Sequence, residues 1–319
     1  MKHARLVAAS LLLCSFSAPV VLAAARTIYD TDDRLDYYAA SPELRKLADS
    51  TVAFFEPSQI TGDGTIMMPT LGKKKGLCKT ERFYDQPAGA FCSGFLVAPD
   101  IVATAGHCVK NEGDCASVKL VFGYAVKRAG ILPLKTEPGD VYGCASVIYS
   151  TSPGSLSEFS RQGDYALIRL NRAVANHAPL PLSHGSIKNG AGVVVVGYPS
   201  GLPVKVSAGA SVRLAMLTAF LTNLDAFGGN SGSAVFNAQT HLVEGIYAVG
   251  GDEDYVKEGD CYVTNVVLHD KGASVATNIS FLFPYLKAGD VAATRLPETI
   301  PAVAAPVSLQ DGMASKVHF

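Results

Sequence analysis

Short apolar runs alternate with clusters of glycine, proline and small polar residues along most of the chain, and long stretches with helical apolar spacing are scarce. The runs at residues 95–97, 101–103, 118–124, 166–170, 191–197, 233–236, 242–249 and 262–268 read as strands. Turn residues separate them at short intervals, so the pattern predicts an all-β antiparallel barrel or sandwich, not alternating βαβ units. Ser41 followed by Pro42 marks a helix start in the N-terminal region. Near the other end, Ile279, Leu282, Phe283 and Leu286 predict a C-terminal helix over residues 276–287, which Pro284 would kink.

The two ends of the chain carry different patterns. Lys2 and Arg5 precede an apolar run over residues 6–22, and Val21-Leu22-Ala23 places small residues where signal peptidase needs them. This predicts a secretory signal over residues 1–23, cleaved near Ala23 or Ala25. A membrane anchor is the competing reading, but Ser10, Ser15, Ser17 and Pro19 interrupt a run barely long enough to span a bilayer. Cys14 lacks the small residues that precede a lipid-modified cysteine and leaves with the signal. Residues 24–65 read as an N-terminal extension or propeptide. Residues 289–319, with Pro297, Pro301 and Pro306 among alanines and polar residues, read as a disordered tail.

With 319 residues, 48% of them hydrophobic and 17% charged, the chain is expected to be globular with one large or two smaller cores. Removing Lys2 and Arg5 from 27 basic residues leaves 25 against 28 acidic ones, a balance that recruits no nucleic acid. Six cysteines remain after the signal, Cys78, Cys92, Cys108, Cys115, Cys144 and Cys261, an even number that fits three disulfides in an oxidising compartment. A secreted or periplasmic protein is expected, free of the membrane once the signal is removed.

The candidate chemistry lies in three segments. Thr104-Ala105-Gly106-His107-Cys108 comes first, then Gly163-Asp164-Tyr165-Ala166-Leu167, then Gly229-Asn230-Ser231-Gly232-Ser233. The order His, Asp, Ser is one of the chain orders in which hydrolases assemble a hydroxyl nucleophile, an imidazole base and an orienting carboxylate. A metal site is the rival for His107-Cys108, but no second cluster stands at ligand spacing. The nucleophile elbow of α/β-hydrolases is excluded because Ser233 stands where that motif requires glycine. No cofactor and no metal are expected.

These segments, together with Phe91-Cys92-Ser93-Gly94-Phe95-Leu96-Val97, Gly197-Tyr198-Pro199 and the N-terminal Thr31-Asp32-Asp33-Arg34, resemble trypsin-like (chymotrypsin-fold) serine peptidases, in particular secreted bacterial ones related to glutamyl endopeptidases. The resemblance implies two antiparallel six-stranded β-barrels, about residues 66–180 and 181–288, with the site in the crevice between them. It implies that Ser231 attacks the scissile carbonyl, His107 serves as general base and acid, and Asp164 orients His107. The amides of Gly229 and Ser231 would form the oxyanion hole. It also implies a disulfide between Cys92 and Cys108. Cys115 and Cys144 flank an expected pair of strands and are read as bridging their base, which leaves Cys78 for Cys261.

Departures from the family pattern bear on activation and specificity. Asn230 replaces the aspartate that receives a new N-terminal amine in mammalian-type relatives, so activation is expected to proceed differently, through removal of residues 24 to about 65. Asp225, six residues before Ser231, stands where trypsin-like enzymes recognise Arg or Lys; as a loop aspartate it equally suits capping of local amides. Ala226 and Tyr247 replace residues that glutamyl endopeptidases use, which disfavours glutamate. Tyr247, Gly250 and Gly251 are the expected pocket walls, the glycines exposing backbone for a substrate strand. The expected activity is a monomeric secreted endopeptidase acting on protein or peptide, with a basic-residue preference. A catalytically silent binding module and an esterase using the same residues are the alternatives.

Overall fold

The computed structural model describes residues 28–250, 253–268, 270 and 273–287. The expected signal and tail lie outside them. Among the described residues seventeen strands run in chain order: β1 (Ile28–Tyr29), β2 (Arg34–Asp36), β3 (Thr51–Phe55), β4 (Cys92–Ala98), β5 (Ile101–Thr104), β6 (Lys119–Phe122), β7 (Val141–Thr151), β8 (Tyr165–Leu170), β9 (Gly192–Gly197), β10 (Lys205–Ala215), β11 (Ala219–Thr222), β12 (Ala234–Asn237), β13 (Val243–Val249), β14 (Tyr255–Glu258), β15 (Cys261–Thr264), β16 (Val266–Val267) and β17 (Ser274–Asn278).

The first barrel closes in the order β3-β4-β5-β8-β7-β6. The second runs β11-β17-β13-β12-β9-β10 and closes because the far end of β10 also pairs with β11. The fold is thus two closed six-stranded antiparallel barrels, as the resemblance implied. Strand β2 adds to the free side of the near end of β10, pairing Asp36 with Lys205.

The period of two along the strands explains why so many of them are apolar on both faces. Val52 and Phe54 point into the first barrel, while Ala53 and Phe55 join the layer between the barrels. Val193 and Val195 fill the second barrel, while Val194 and Val196 face that same layer. The three largest hydrophobic clusters among the described residues therefore lie one in each barrel and one between them.

Helix α1 (Pro42–Ala48) begins where Ser41 and Pro42 predicted it, with Ser41 Oγ accepting from Leu44 N at 3.2 Å. The C-terminal helix differs from expectation. Residues Ala276 and Thr277 are spent in β17, between β11 and β13, and only Ile279–Tyr285 turns, as a 3-10 helix containing Pro284. Residues 262–268 form two strands, β15 and β16, instead of one. Three disulfides join Cys78 to Cys261, Cys92 to Cys108 and Cys115 to Cys144.

The expected division at residue 66 is corrected. Strand β3 sits between β4 and β6, so the first barrel begins at Thr51, inside the segment read as a removable extension. Its neighbours upstream are equally built in. Lys205, 2% exposed, places its Nζ 2.8 Å from Asp36 Oδ1 and donates to Gln86 Oε1. Arg34, 1% exposed, binds Asp32 with two nitrogens and lies 4.1 Å over the Phe227 ring. Removing residues 24–65 would open one barrel and strip β2 from the other. A chain beginning at residue 57 is therefore expected to show no cooperative thermal unfolding, whereas one beginning at residue 28 retains it. Within the full chain, Phe55→Ala should cost about 3–5 kcal/mol in denaturant unfolding.

Candidate active site

His107 lies in a 3-10 turn just past β5, and Asp164 sits just before β8, which pairs with β5. That pairing brings two residues far apart in sequence side by side. His107 Nδ1 is 2.6 Å from Asp164 Oδ2, and the His107 amide donates to Asp164 Oδ1 at 3.1 Å. Asp164 is nearly closed off, its side chain 5% exposed against 34% for His107. A carboxylate held this way fixes the ring's orientation and leaves Nε2 for chemistry. Thr277 braces the backbone of Asp164 from the second barrel: its hydroxyl accepts from Asp164 N at 3.0 Å and donates to Asp164 O at 3.1 Å.

Ser231 arrives on the loop between β11 and β12 and shares a cleft of about 440 Å³ with His107, Gly228 and Gly229. Among the described residues no hydrogen bond joins Ser231 Oγ to His107. Water competes for both groups in an open cleft, and such bonds tighten as substrate excludes it. The amides of Gly229 and Ser231 likewise donate to no protein acceptor among the described residues, which leaves two N–H groups beside the hydroxyl. Asn230 is turned inward, its Oδ1 3.2 Å from Ser233 Oγ.

Ser93, on β4, holds this loop in place. Its amide donates to Ser231 O at 2.8 Å, its hydroxyl donates to Gly229 O at 2.7 Å, and that hydroxyl accepts from Tyr198 N at 3.0 Å. Gly232 takes φ +86°, and a Cβ there would overlap Ser93 O and Thr104 Oγ1. Only glycine satisfies both the angle and the close approach. Neither Thr277 nor the bridging role of Ser93 had a signal in the sequence beyond Ser93's place in a motif.

The expected pocket residues are redistributed. Asp225 does not line the cleft of Ser231. Its carboxylate accepts from Tyr29 N at 2.8 Å and Asp33 N at 2.9 Å, and borders a separate hollow with Tyr29, Asp33, Gly209 and Asn223. The N-terminal segment has taken the carboxylate that was expected to meet a basic side chain, so the loop aspartate is an amide cap. Tyr247 is 1% exposed, packed with Ala226, Val195 and Phe220 in the second barrel's core, and is not an open wall. Gly250 is buried just beyond β13, and Gly251 lies outside the described residues. The cleft is instead lined by Lys74, Lys75, Phe91, Ser200 and Asp254 beside the Cys92–Cys108 disulfide. Cys92, His107 and Cys108 form the one cluster of potential metal ligands among the described residues, but the two sulfurs are bonded to each other and offer no thiolate.

Burial pushes the Asp225 carboxyl up to about 7 from 3.8, against the two amides that favour its charged form. A carboxyl raised in the folded state keeps its proton where the unfolded chain has lost it, so this group's stabilisation is lost as pH climbs from about 4 through 7. Asp225→Asn should remove that slope, so the variant gains on the parent in thermal unfolding as pH rises across the window. A difference in Tm independent of pH would show the carboxyl to be unshifted. Ser93→Ala should cost about 1–3 kcal/mol, because the buried Tyr198 amide loses its acceptor, as read by denaturant unfolding.

Comparison with known proteins gives one matching family model and a set of similar solved structures. Residues 92–246 match the family model of the trypsin-like peptidase domain. No curated protein matches the sequence. Among solved structures, a Glu endopeptidase matches at 18% identity over 80% of this chain and 96% of its own, with TM-score 0.49. The Vibrio cholerae VesB protease matches at 16% over 74% of this chain and 62% of its own, with TM-score 0.46. The human heparin binding protein matches at 14% over 79% and 93%, with TM-score 0.47. The matched span 92–246 includes His107, Asp164 and Ser231, and over it the chain is similar to trypsin-like peptidase domains.

Proposed function

We propose that this protein is a secreted or periplasmic serine endopeptidase. Ser231 is the nucleophile, His107 the general base and then the general acid, and Asp164 the group that orients His107 and stabilises its charged form. The observation that carries the reading is the 2.6 Å His107–Asp164 contact opening onto the same cleft as Ser231. Ser231 Oγ gives its proton to His107 as it bonds to the scissile carbonyl carbon. The carbonyl oxygen, now negative, is received by the amides of Gly229 and Ser231. The C–N bond then breaks, the departing amine takes the proton from His107, and water repeats the sequence in reverse to free the acyl group.

Location rests on chemistry as well. Three disulfides suit an oxidising compartment, and among the described residues no helix is long and apolar enough to cross a membrane. A basic-residue preference through Asp225 is no part of the proposal, since its carboxylate is held by Tyr29 and Asp33.

The test is covalent labelling followed by turnover. A fluorophosphonate should add once per chain, at Ser231 by peptide mass mapping, and the purified protein should digest denatured casein. Ser231→Ala should lower turnover by about 10⁶ and abolish labelling. Asp164→Asn should lower turnover by about 10⁴, because the wrong imidazole tautomer then faces the serine. Labelling with ester hydrolysis but no casein digestion would make the protein an esterase, and absence of both would leave a binding module.

A further inference from the structure

The cleft beside Ser231 contains two lysines that its chemistry does not require. Lys74 and Lys75 lie at the end of the short helix α2 (Leu71–Lys75), which Gly76 terminates in the left-handed conformation at φ +65°. Lys74 Nζ donates to the Ala88 carbonyl at 2.9 Å, which holds the ammonium against the wall of the cleft. Lys75 Nζ stands 5.9 Å from the centroid of the Tyr255 ring, whose hydroxyl is 2.8 Å from Ser200 Oγ. Neither ammonium forms an ion pair among the described residues. The acid that shares the cleft, Asp254, directs both carboxylate oxygens to the Gly228 amide, at 3.1 and 3.2 Å.

The position of this cleft assigns it to one side of the bond being cut. It is walled by Phe91 and the Cys92–Cys108 disulfide that adjoins His107, together with Gly228 and Gly229, and no residue of β13 lines it. A departing amine collects its proton from His107 and so leaves on the side of that ring, where the same cleft carries the disulfide and the two lysines. Resting on the endopeptidase reading, we propose that Lys74 and Lys75 select substrates with an acidic side chain at the first or second position after the scissile bond.

Adjacent like charges give the direction of the effect. Two neighbouring ammonium groups repel each other, and a carboxylate between them relieves that repulsion while matching its own charge. Both lysines are exposed, so the interaction is modest and sensitive to salt.

Matched peptides built around a cut found in denatured casein, carrying Glu or Gln at the two positions after the bond, provide the test. The parent should show kcat/KM about three- to tenfold higher for Glu than for Gln at low salt, and near equality at high salt. Lys74→Gln/Lys75→Gln should bring the ratio near one, while Lys73→Gln, one residue away on the same helix, should keep it. Equal turnover by the parent, or a preference that survives the double variant, overturns the proposal. Binding of the same peptides to Ser231→Ala protein, read by fluorescence anisotropy, separates this from the peptidase reading. Tighter binding of the Glu peptide with no labelling of the parent would sink the peptidase reading alone, and indiscriminate binding would sink the inference alone.

Discussion

A side chain of the first barrel holds the Ser231 loop of the second. Ser93 reaches from β4 to Gly229 O with its hydroxyl and to Ser231 O with its amide, and the same hydroxyl takes the Tyr198 amide from the turn after β9. The candidate base and nucleophile stand on different barrels, so their alignment is only as good as the bonds that cross between them. Displacement of reacting groups by about 1 Å is enough to lower rates by about 10². Gly232 makes the contact possible, since any Cβ there would strike Ser93 O. Thr277 repeats the device in reverse, reaching from the second barrel to both backbone groups of Asp164.

Behind these polar bridges stands a continuous apolar layer. Strands such as β3 and β9 bury alternate side chains in their own barrel and between the barrels, so neither face has a polar residue to spare. The two barrels therefore share a core and cannot slide past each other without exposing Phe55, Phe95 or Phe236. Rigid scaffolding of this kind is what lets a loop bring a left-handed glycine into close contact beside Ser231.

The N-terminal segment extends the same logic to the loop ahead of Ser231. Arg34 covers the Phe227 ring, while Tyr29 and Asp33 cap Asp225, so residues 225–227 are held from outside the barrel. One carboxylate cannot both accept these two amides and greet a substrate cation, and the buried amides win because leaving them unpaired is costly. The charged side chains that line the cleft of Ser231 beside His107 are instead Lys74, Lys75 and Asp254.

The sequence by itself determined the β-rich architecture, the order His107, Asp164 and Ser231, and the glycines that frame the serine, because each is written in a short segment whose own period or backbone demand specifies it. Strands β7 and β10 escaped notice because small and polar residues interrupt their apolar runs, and β3 because it lies in the segment expected to be a removable extension. Direction in space was decided only by tertiary structure. Asp225 and Tyr247 look like pocket residues from their spacing to Ser231, yet one faces an amide 196 residues away and the other fills a barrel core. The lysines of α2 gave no signal at all, because they reach the cleft only when the barrel and the Cys78–Cys261 link fold α2 back beside it. Spacing along a chain fixes which residues are near in sequence, and long-range packing chooses the side to which each of them turns.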